Sequence, residues 1–227
     1  QARGEIRRVP ENGRLDQQRY AYVRWAPNPL KGFTLTQEEA HVELARRYFR
    51  WIGPATLAEF QWFSGLGVGA AKAAVAPLGL VPVDVGALMF ADEVAAYEAF
   101  TVPDEPQVRL VSGLDSMLLL RRDVPGLLSP AHREHPVYGE KGELKAGGLI
   151  DSPYHVILDR GRLIGFWEFD PERQEIAWMT FDAPPAGLRA EVARTEAFAR
   201  EQLGDVRSFS LDSPASRAPR IAWLRKQ

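Results

Sequence analysis

The stretch GPATLAEFQWFSGLGVGAAKAAVAPLG, residues 53–79, leaves room only for short elements. Glycine and proline recur at its start, middle and end. Each either frees the backbone or removes an N–H that a continuing helix needs. Between these breaks, residues 56–64 form a helix that presents Leu57, Phe60 and Phe63, and residues 68–76 form a second made almost wholly of alanine and valine. A longer helix precedes them. Thr36 and Glu39 are spaced as a T-x-x-E capping box, in which hydroxyl and carboxylate satisfy free amides at a helix start. His41, Leu44, Ala45, Tyr48, Phe49 and Ile52 then recur at three and four residues as one apolar stripe. Gly53-Pro54 ends the stripe, with the glycine expected to supply a left-handed cap. LVPVDV and ALMFA, joined around Gly86, read as a β-hairpin. Three helices followed by a hairpin is the order of a winged helix-turn-helix.

The flanking regions have a different character. Residues 1–33 are polar, with a hairpin expected across 10–14 and a half-exposed strand in which Tyr20 and Tyr22 alternate with Ala21 and Val23. Residues 103–106 read as a linker, 109–111 as a strand, and 129–148 as a long loop or irregular hairpin. YHVIL, RLIGFWEF and QEIAWMTF (154–158, 162–169, 174–181) read as a three-stranded meander. Pro185 and Gly204 bracket a long helix with Leu188, Val192, Thr195, Ala199 and Leu203 inward, and VRSFSL is expected as a last strand before a basic tail. The expected fold is therefore α+β. A basic arm (1–33) precedes a winged helix (34–102), which is followed by a small antiparallel β-barrel or sheet with a long C-terminal helix (103–227).

Composition narrows the chemistry. None of the 227 residues is cysteine, which excludes disulfides, thiolate metal sites and cysteine nucleophiles. No apolar run approaches the roughly 20 residues of a membrane span, and no secretory signal is visible, so a cytoplasmic protein without a membrane partner is expected. The net charge of −2 is unevenly spread. Residues 1–50 carry ten Arg/Lys against six Asp/Glu, whereas 51–105 carry one Lys against seven acids. The basic surface therefore lies mainly at the N-terminal end.

Several motifs lose their chemical meaning in context. Gly65 to Ala70 spells the dinucleotide fingerprint, but a helix rather than a strand leads into it, so no nucleotide cofactor is expected. Residues 68–76 offer only Lys72 to a base edge, too little for a sequence-reading helix. His132 and His135 lie between Pro130 and Pro136 with no third ligand, which favours a solvated loop over a metal site. Glu168 and Asp170 share one face of a strand end, and paired acids beside a turn are expected to face solvent without a catalytic role. Of the six tryptophans, Trp25 and Trp223 are flanked by arginine and are candidates for stacking.

The block ELARRYFRWIGPATLAEFQWFSGLGVGAAKAAVAPLG resembles the signature of winged-helix DNA-binding proteins related to bulky-adduct and interstrand-crosslink DNA glycosylases. GLDSMLLLRRDVPGLLSPAHREHPVYG and LIDSPYHVILDRGRLIGFWEF, with its Gly165-Phe166-Trp167 step, are similar to later blocks of that family in the same order. The resemblance covers most of residues 36–181. It implies tandem winged helices followed by a small β-barrel on DNA, with residues 1–33 as the last wing of a preceding winged helix. It also implies a Gln-apolar-Gln or Gln-apolar-Asp motif that holds water near C1′ as a cationic base departs. Gln17-Gln18-Arg19 and Gln37-Glu38-Glu39 do not fit that motif, and no catalytic residue is assigned.

The expected function is thus DNA binding through the phosphate backbone by a non-catalytic portion or shortened member of that family, with double-stranded DNA, damaged duplex included, as the partner. Arg7, Arg8, Arg19, Arg24, Arg46, Arg47, Arg50, Lys72, Arg121 and Arg122 are the candidate contacts. Two alternatives stay open. One is a glycosylase whose catalytic residues lie outside this chain, and the other is a protein-interaction module that uses the acidic 51–105 region.

Overall fold

A computed structural model describes residues 1–11, 20–84, 86–139, 142–203, 206 and 212–227. It divides into two compact units, one formed by Leu30–Val102 and the other by Gln1–Pro29 together with Pro103–Gln227. The chain begins with an antiparallel hairpin of β1 (Ile6–Pro10) and β2 (Tyr20–Arg24).

In the Leu30–Val102 unit, α1 (Gln37–Ile52) starts where the capping box requires it. Thr36 Oγ1 accepts from the Glu39 amide at 3.2 Å, and Glu39 Oε2 accepts from the Thr36 amide at 2.8 Å. Gly53 does not take the expected left-handed cap, because its φ is −51°. Its lack of a side chain matters for another reason: a Cβ there would lie 2.4 Å from the Phe49 carbonyl oxygen. The two-residue strand β3 (Ala55–Thr56) follows, and Thr56 and Glu59 form a second capping box at the start of α2 (Leu57–Ser64). Gly65, at φ 69°, closes α2 in the left-handed region that glycine tolerates. α3 (Val68–Val75) buries Ala71 and Ala74, small residues that permit close helix packing. Tyr48, Phe49 and Phe60 form the aromatic centre, and Phe63 stacks on Tyr48 at 4.8 Å. β4 (Leu80–Asp84) and β5 (Ala87–Phe90) form the expected hairpin, and β3 joins it as a third strand in the order β3-β5-β4. α4 (Ala91–Ala99) is a helix that sequence reasoning missed.

The other unit is built on an antiparallel sheet of β6 (Val108–Val111), β9 (His155–Asp159), β10 (Arg162–Asp170) and β11 (Glu175–Thr180). Before β9 the chain forms two single-turn helices, α5 (Ser116–Leu119) and α6 (Val124–Leu127), and a hairpin of β7 (Pro136–Gly139) and β8 (Gly142–Lys145). The hairpin falls within the segment expected to be a loop or irregular hairpin. The last three strands of the sheet are the expected meander. The strand order is β11-β10-β9-β6, so among the described residues the sheet is open and not the closed barrel that was also considered.

Strand alternation sends side chains to two cores. Ile157, Trp167, Phe169 and Ile176 face α7 (Leu188–Gln202), which buries Leu188, Val192 and Ala199. Val156, Leu158, Phe166 and Met179 face the opposite core, which α8 (Pro214–Leu224) covers with Ile221 and Leu224. Gly165 is required where β10 meets β11, because a Cβ there would sit 2.0 Å from the Met179 carbonyl oxygen. α8 replaces the expected basic tail, and Ser213 caps it by accepting from the Ser216 amide. The expected strand VRSFSL lies, apart from Val206, outside the described residues.

Candidate nucleic-acid interface and a buried polar site

The β1–β2 register decides what the hairpin presents. Ile6 pairs with Arg24, Arg8 with Tyr22 and Pro10 with Tyr20, so Arg8, Tyr20, Tyr22 and Arg24 share one face while Arg7 points to the other. All five are exposed, and neither strand carries an acid. The Arg8 guanidinium lies 4.2 Å from the Tyr20 ring centroid and 5.9 Å from that of Tyr22. Hydrogen bonding from Arg8 first, and from Tyr20 second, holds the Tyr22 phenol below its ordinary pKa. Trp25 follows directly and is also exposed. The face combines fixed cations with flat rings, as a surface that meets phosphates and bases does. Arg19 lies outside the described residues.

The remaining candidates have different surroundings. Arg46 and Arg47 project from α1, and both reach Glu43, at 3.3 and 2.7 Å. Arg50 is braced by Asp92 and Glu93 at the start of α4, at 2.9 and 3.0 Å, and lies 3.9 Å from the centroid of the Phe90 ring. Those acids hold its pKa above the ordinary value. Lys72 is exposed on α3. Arg121 and Arg122 are half-buried after α5, and Arg122 forms a two-pronged ion pair with Asp151. The structure thus gathers Arg8 and Arg24 on one face, with Arg7 behind them. It holds Arg50 and Arg122 against acids.

Sequence reasoning missed a second concentration of polar groups, where β10 meets α8. Glu168 and Asp170 do not face solvent as expected. They are 2% and 8% exposed, because α8 packs on their face of the sheet. Arg220 bridges two acids, its Nε 3.0 Å from Glu168 Oε1 and its guanidinium 2.9 Å from Asp212 Oδ1. Arg225 reaches Asp170 at 2.9 Å and Glu175 at 2.6 Å. Arg217 is wholly buried beside them. Burial pushes the Glu168 carboxyl up to about 7, with Arg220 opposing the shift and Asp212 adding to it. At the start of β9, His155 accepts a hydrogen bond at Nδ1 from the Gly113 amide and lies against Trp167, with ring centroids 4.4 Å apart. Burial pushes its pKa down to about 4, so the ring is neutral. The available signal was the i, i+3 spacing of Arg217 and Arg220 opposite acids two apart on a strand.

Two further expectations need correction. Trp223 is not an exposed stacking platform. It packs on the α8 core, its ring centroid 5.7 Å from that of Tyr154. His132 and His135 are half-buried and approach Phe181 at 5.0 and 4.9 Å, and His132 Nε2 lies 2.8 Å from Asp182.

A family model described as DNA glycosylase AlkZ-like matches residues 1–203. The chain belongs to the AlkZ-like DNA glycosylase family. Among solved structures it is similar to the DNA glycosylase AlkZ of Streptomyces sahachiroi, with 22% identity and a TM-score of 0.58. That likeness covers 89% of this chain and 53% of the other, so the chain spans about half the length of that relative and shares its fold over that part. No curated protein matches.

Membership in the AlkZ-like family bears out the relation to crosslink glycosylases read from residues 36–181. The match reaches the end of α7 and stops before α8. Glu168 and Asp170 therefore fall within the AlkZ-like region, while Arg217, Arg220 and Arg225 fall beyond it. Among the described residues, no group of acids and histidines is arranged to hold a metal ion, and no helix is long and apolar enough to cross a membrane.

Proposed function

We propose that this chain grips duplex DNA, damaged duplex included, as part of a DNA-repair glycosylase. The supporting observation is the exposed β1–β2 face, where Arg8 and Arg24 stand beside Tyr20 and Tyr22 with no acid on either strand. Phosphates pair with such cations and release bound counterions, a gain that is independent of sequence. In this reading Leu30–Val102 serves as a winged helix, with β4–β5 as the wing. α3 packs through Ala71 and Ala74, and only Lys72 is directed to phosphate. Arg46 and Arg47 assist, because exposed ion pairs such as theirs with Glu43 are worth only about 0–1 kcal/mol and yield to a phosphate. No bond-breaking step is assigned to these residues. The Gln-apolar-Gln or Gln-apolar-Asp pattern occurs nowhere in residues 1–227.

Fluorescence anisotropy of a labelled duplex against salt tests the reading. Each phosphate contact contributes about 0.9 to the slope of log K on log salt, so Arg8→Ala and Arg24→Ala together should lower it by roughly 1.8. Binding that ignores salt, or a double variant with the parental slope, would remove the hairpin from the interface.

A further inference from the structure

The β1–β2 face holds more than cations. Six side chains share it: Ile6, Arg8 and Pro10 from β1, and Tyr20, Tyr22 and Arg24 from β2. All six are exposed, and none is an acid. Val9 and Val23, the half-buried residues of the two strands, lie on the opposite face, so what cover the strands have falls there. The arginine–tyrosine face is left to solvent. Its two rings meet edge to face, with centroids 5.5 Å apart and planes at 86°. Arg8 lies on the Tyr20 ring at 4.2 Å and stands off the Tyr22 ring at 5.9 Å. Tyr22 is accordingly the more open ring, 54% exposed against 39% for Tyr20.

These positions decide what Tyr22 can offer a partner. Its phenol is engaged by hydrogen bonds with Arg8 and Tyr20, so the group left to meet a ligand is the ring surface. A ring surface recognises the flat face of a base, and does so with little regard to which base it is. In an intact duplex each internal base is covered on both faces by its neighbours. A base face comes free only where pairing is interrupted and the base can leave the stack. From this geometry we propose that the hairpin face takes duplex DNA at a break in base pairing, with an unpaired base laid on the Tyr22 ring and Arg8 and Arg24 on the phosphates beside it. The proposal rests on the reading of β1–β2 as the DNA-gripping face and narrows its substrate from duplex in general to duplex with an open site. Arg8 serves both parts, because its bond to the phenol fixes the ring next to the cation before DNA arrives. Cross-strand packing within the hairpin is the other use of a ring at this position, and it makes no distinction between forms of DNA.

Fluorescence anisotropy of the full chain with two labelled duplexes of equal length tests the site, one fully paired and one with a central run of T·T mismatches. Both carry the same number of phosphates, so the salt slope should be the same for the two. Stacking one base on an aromatic ring corresponds to roughly five- to 150-fold in affinity, so the mismatched duplex should bind at least about fivefold more tightly. Tyr22→Thr keeps a strand-forming residue without a ring, and should bring the two affinities together at an unchanged slope. Tyr22→Phe keeps the ring and should retain the preference. Equal affinity of the parental chain for the two duplexes, or a preference that survives Tyr22→Thr, would overturn the proposal. The comparison on the parental chain decides the matter even if the Tyr22→Thr variant folds poorly. Salt-dependent binding without preference sinks this inference alone and leaves the gripping face standing, whereas salt-independent binding of both duplexes removes that face and the inference with it.

Discussion

Glu168 and His155 make opposite demands on the pH dependence of folding. Unfolded, Glu168 titrates near 4.5, and folded, near 7. Between those values the folded chain keeps a proton that the unfolded chain has released. Stability therefore falls as pH rises through this window and levels off above 7. His155 has an ordinary value of 6.5 and a folded value of about 4. There the unfolded chain holds the extra proton, so stability rises as pH climbs from 4 to 6.5. At about 1.4 kcal/mol per pH unit, each window amounts to about 3 kcal/mol. Both groups are buried, so solvent screening takes little from either figure. The two slopes nearly cancel in the parental chain, and single variants expose them. Glu168→Gln keeps the shape but cannot titrate, and His155→Asn keeps an acceptor for the Gly113 amide. Urea unfolding followed by tryptophan fluorescence, at constant ionic strength from roughly pH 4 to pH 8, reads both. The deficit of Glu168→Gln relative to the parent should shrink by about 3 kcal/mol between pH 4.5 and 7. The deficit of His155→Asn should grow by about 3 kcal/mol between pH 4 and 6.5. Deficits that stay constant within about 1 kcal/mol would show that burial does not set these pKa values.

Gly165→Ala forces a Cβ to within 2.0 Å of the Met179 carbonyl. The strands must part, and a loss of about 3 kcal/mol in urea unfolding is expected, with a loss under about 1 kcal/mol contradicting the close approach. Thr36→Ala removes one hydroxyl of a reciprocal cap and should cost about 1 kcal/mol, and an unchanged midpoint would argue against the capping box. Arg46→Ala and Arg47→Ala should each lower the salt slope of DNA binding by about 0.9, whereas Arg50→Ala should leave it unchanged and lower the urea midpoint slightly. A reduced slope for Arg50→Ala would mean that phosphate displaces Asp92 and Glu93.

Legibility followed the locality of each signal. The capping box at Thr36, the breaks at Gly53, Gly65 and Gly79, and the turns of the meander are set within a few residues, so α1, α2, α3 and β9 to β11 were all visible. α4 was not, because ADEVAAYEA has little amphipathic contrast and no side-chain cap. α8 was hidden for another reason. Arginines along its length resemble a solvated tail until β10 supplies the acids. The pairing of Glu168 with Arg220 spans 52 residues, and no short-range pattern announces it.

A count of arginines along a sequence weights them equally, and the fold does not. Arg217 and Arg220 have lost their water and are held by Asp212 and Glu168, so drawing either toward an external phosphate would strand a buried carboxylate. Breaking a buried pair in this way costs roughly 3–5 kcal/mol, more than one phosphate contact returns. Arg46 and Arg47 sit at the other extreme, since both share Glu43 at the surface, where exchanging one anion for another is nearly free. Arg50 falls between, with two acids and an aromatic ring around it. The charge that a polyanion can reach is therefore set by the cost of leaving the present partner. On that measure β1–β2 ranks first, because the described partners of Arg8 are the tyrosine rings, which a phosphate does not have to displace.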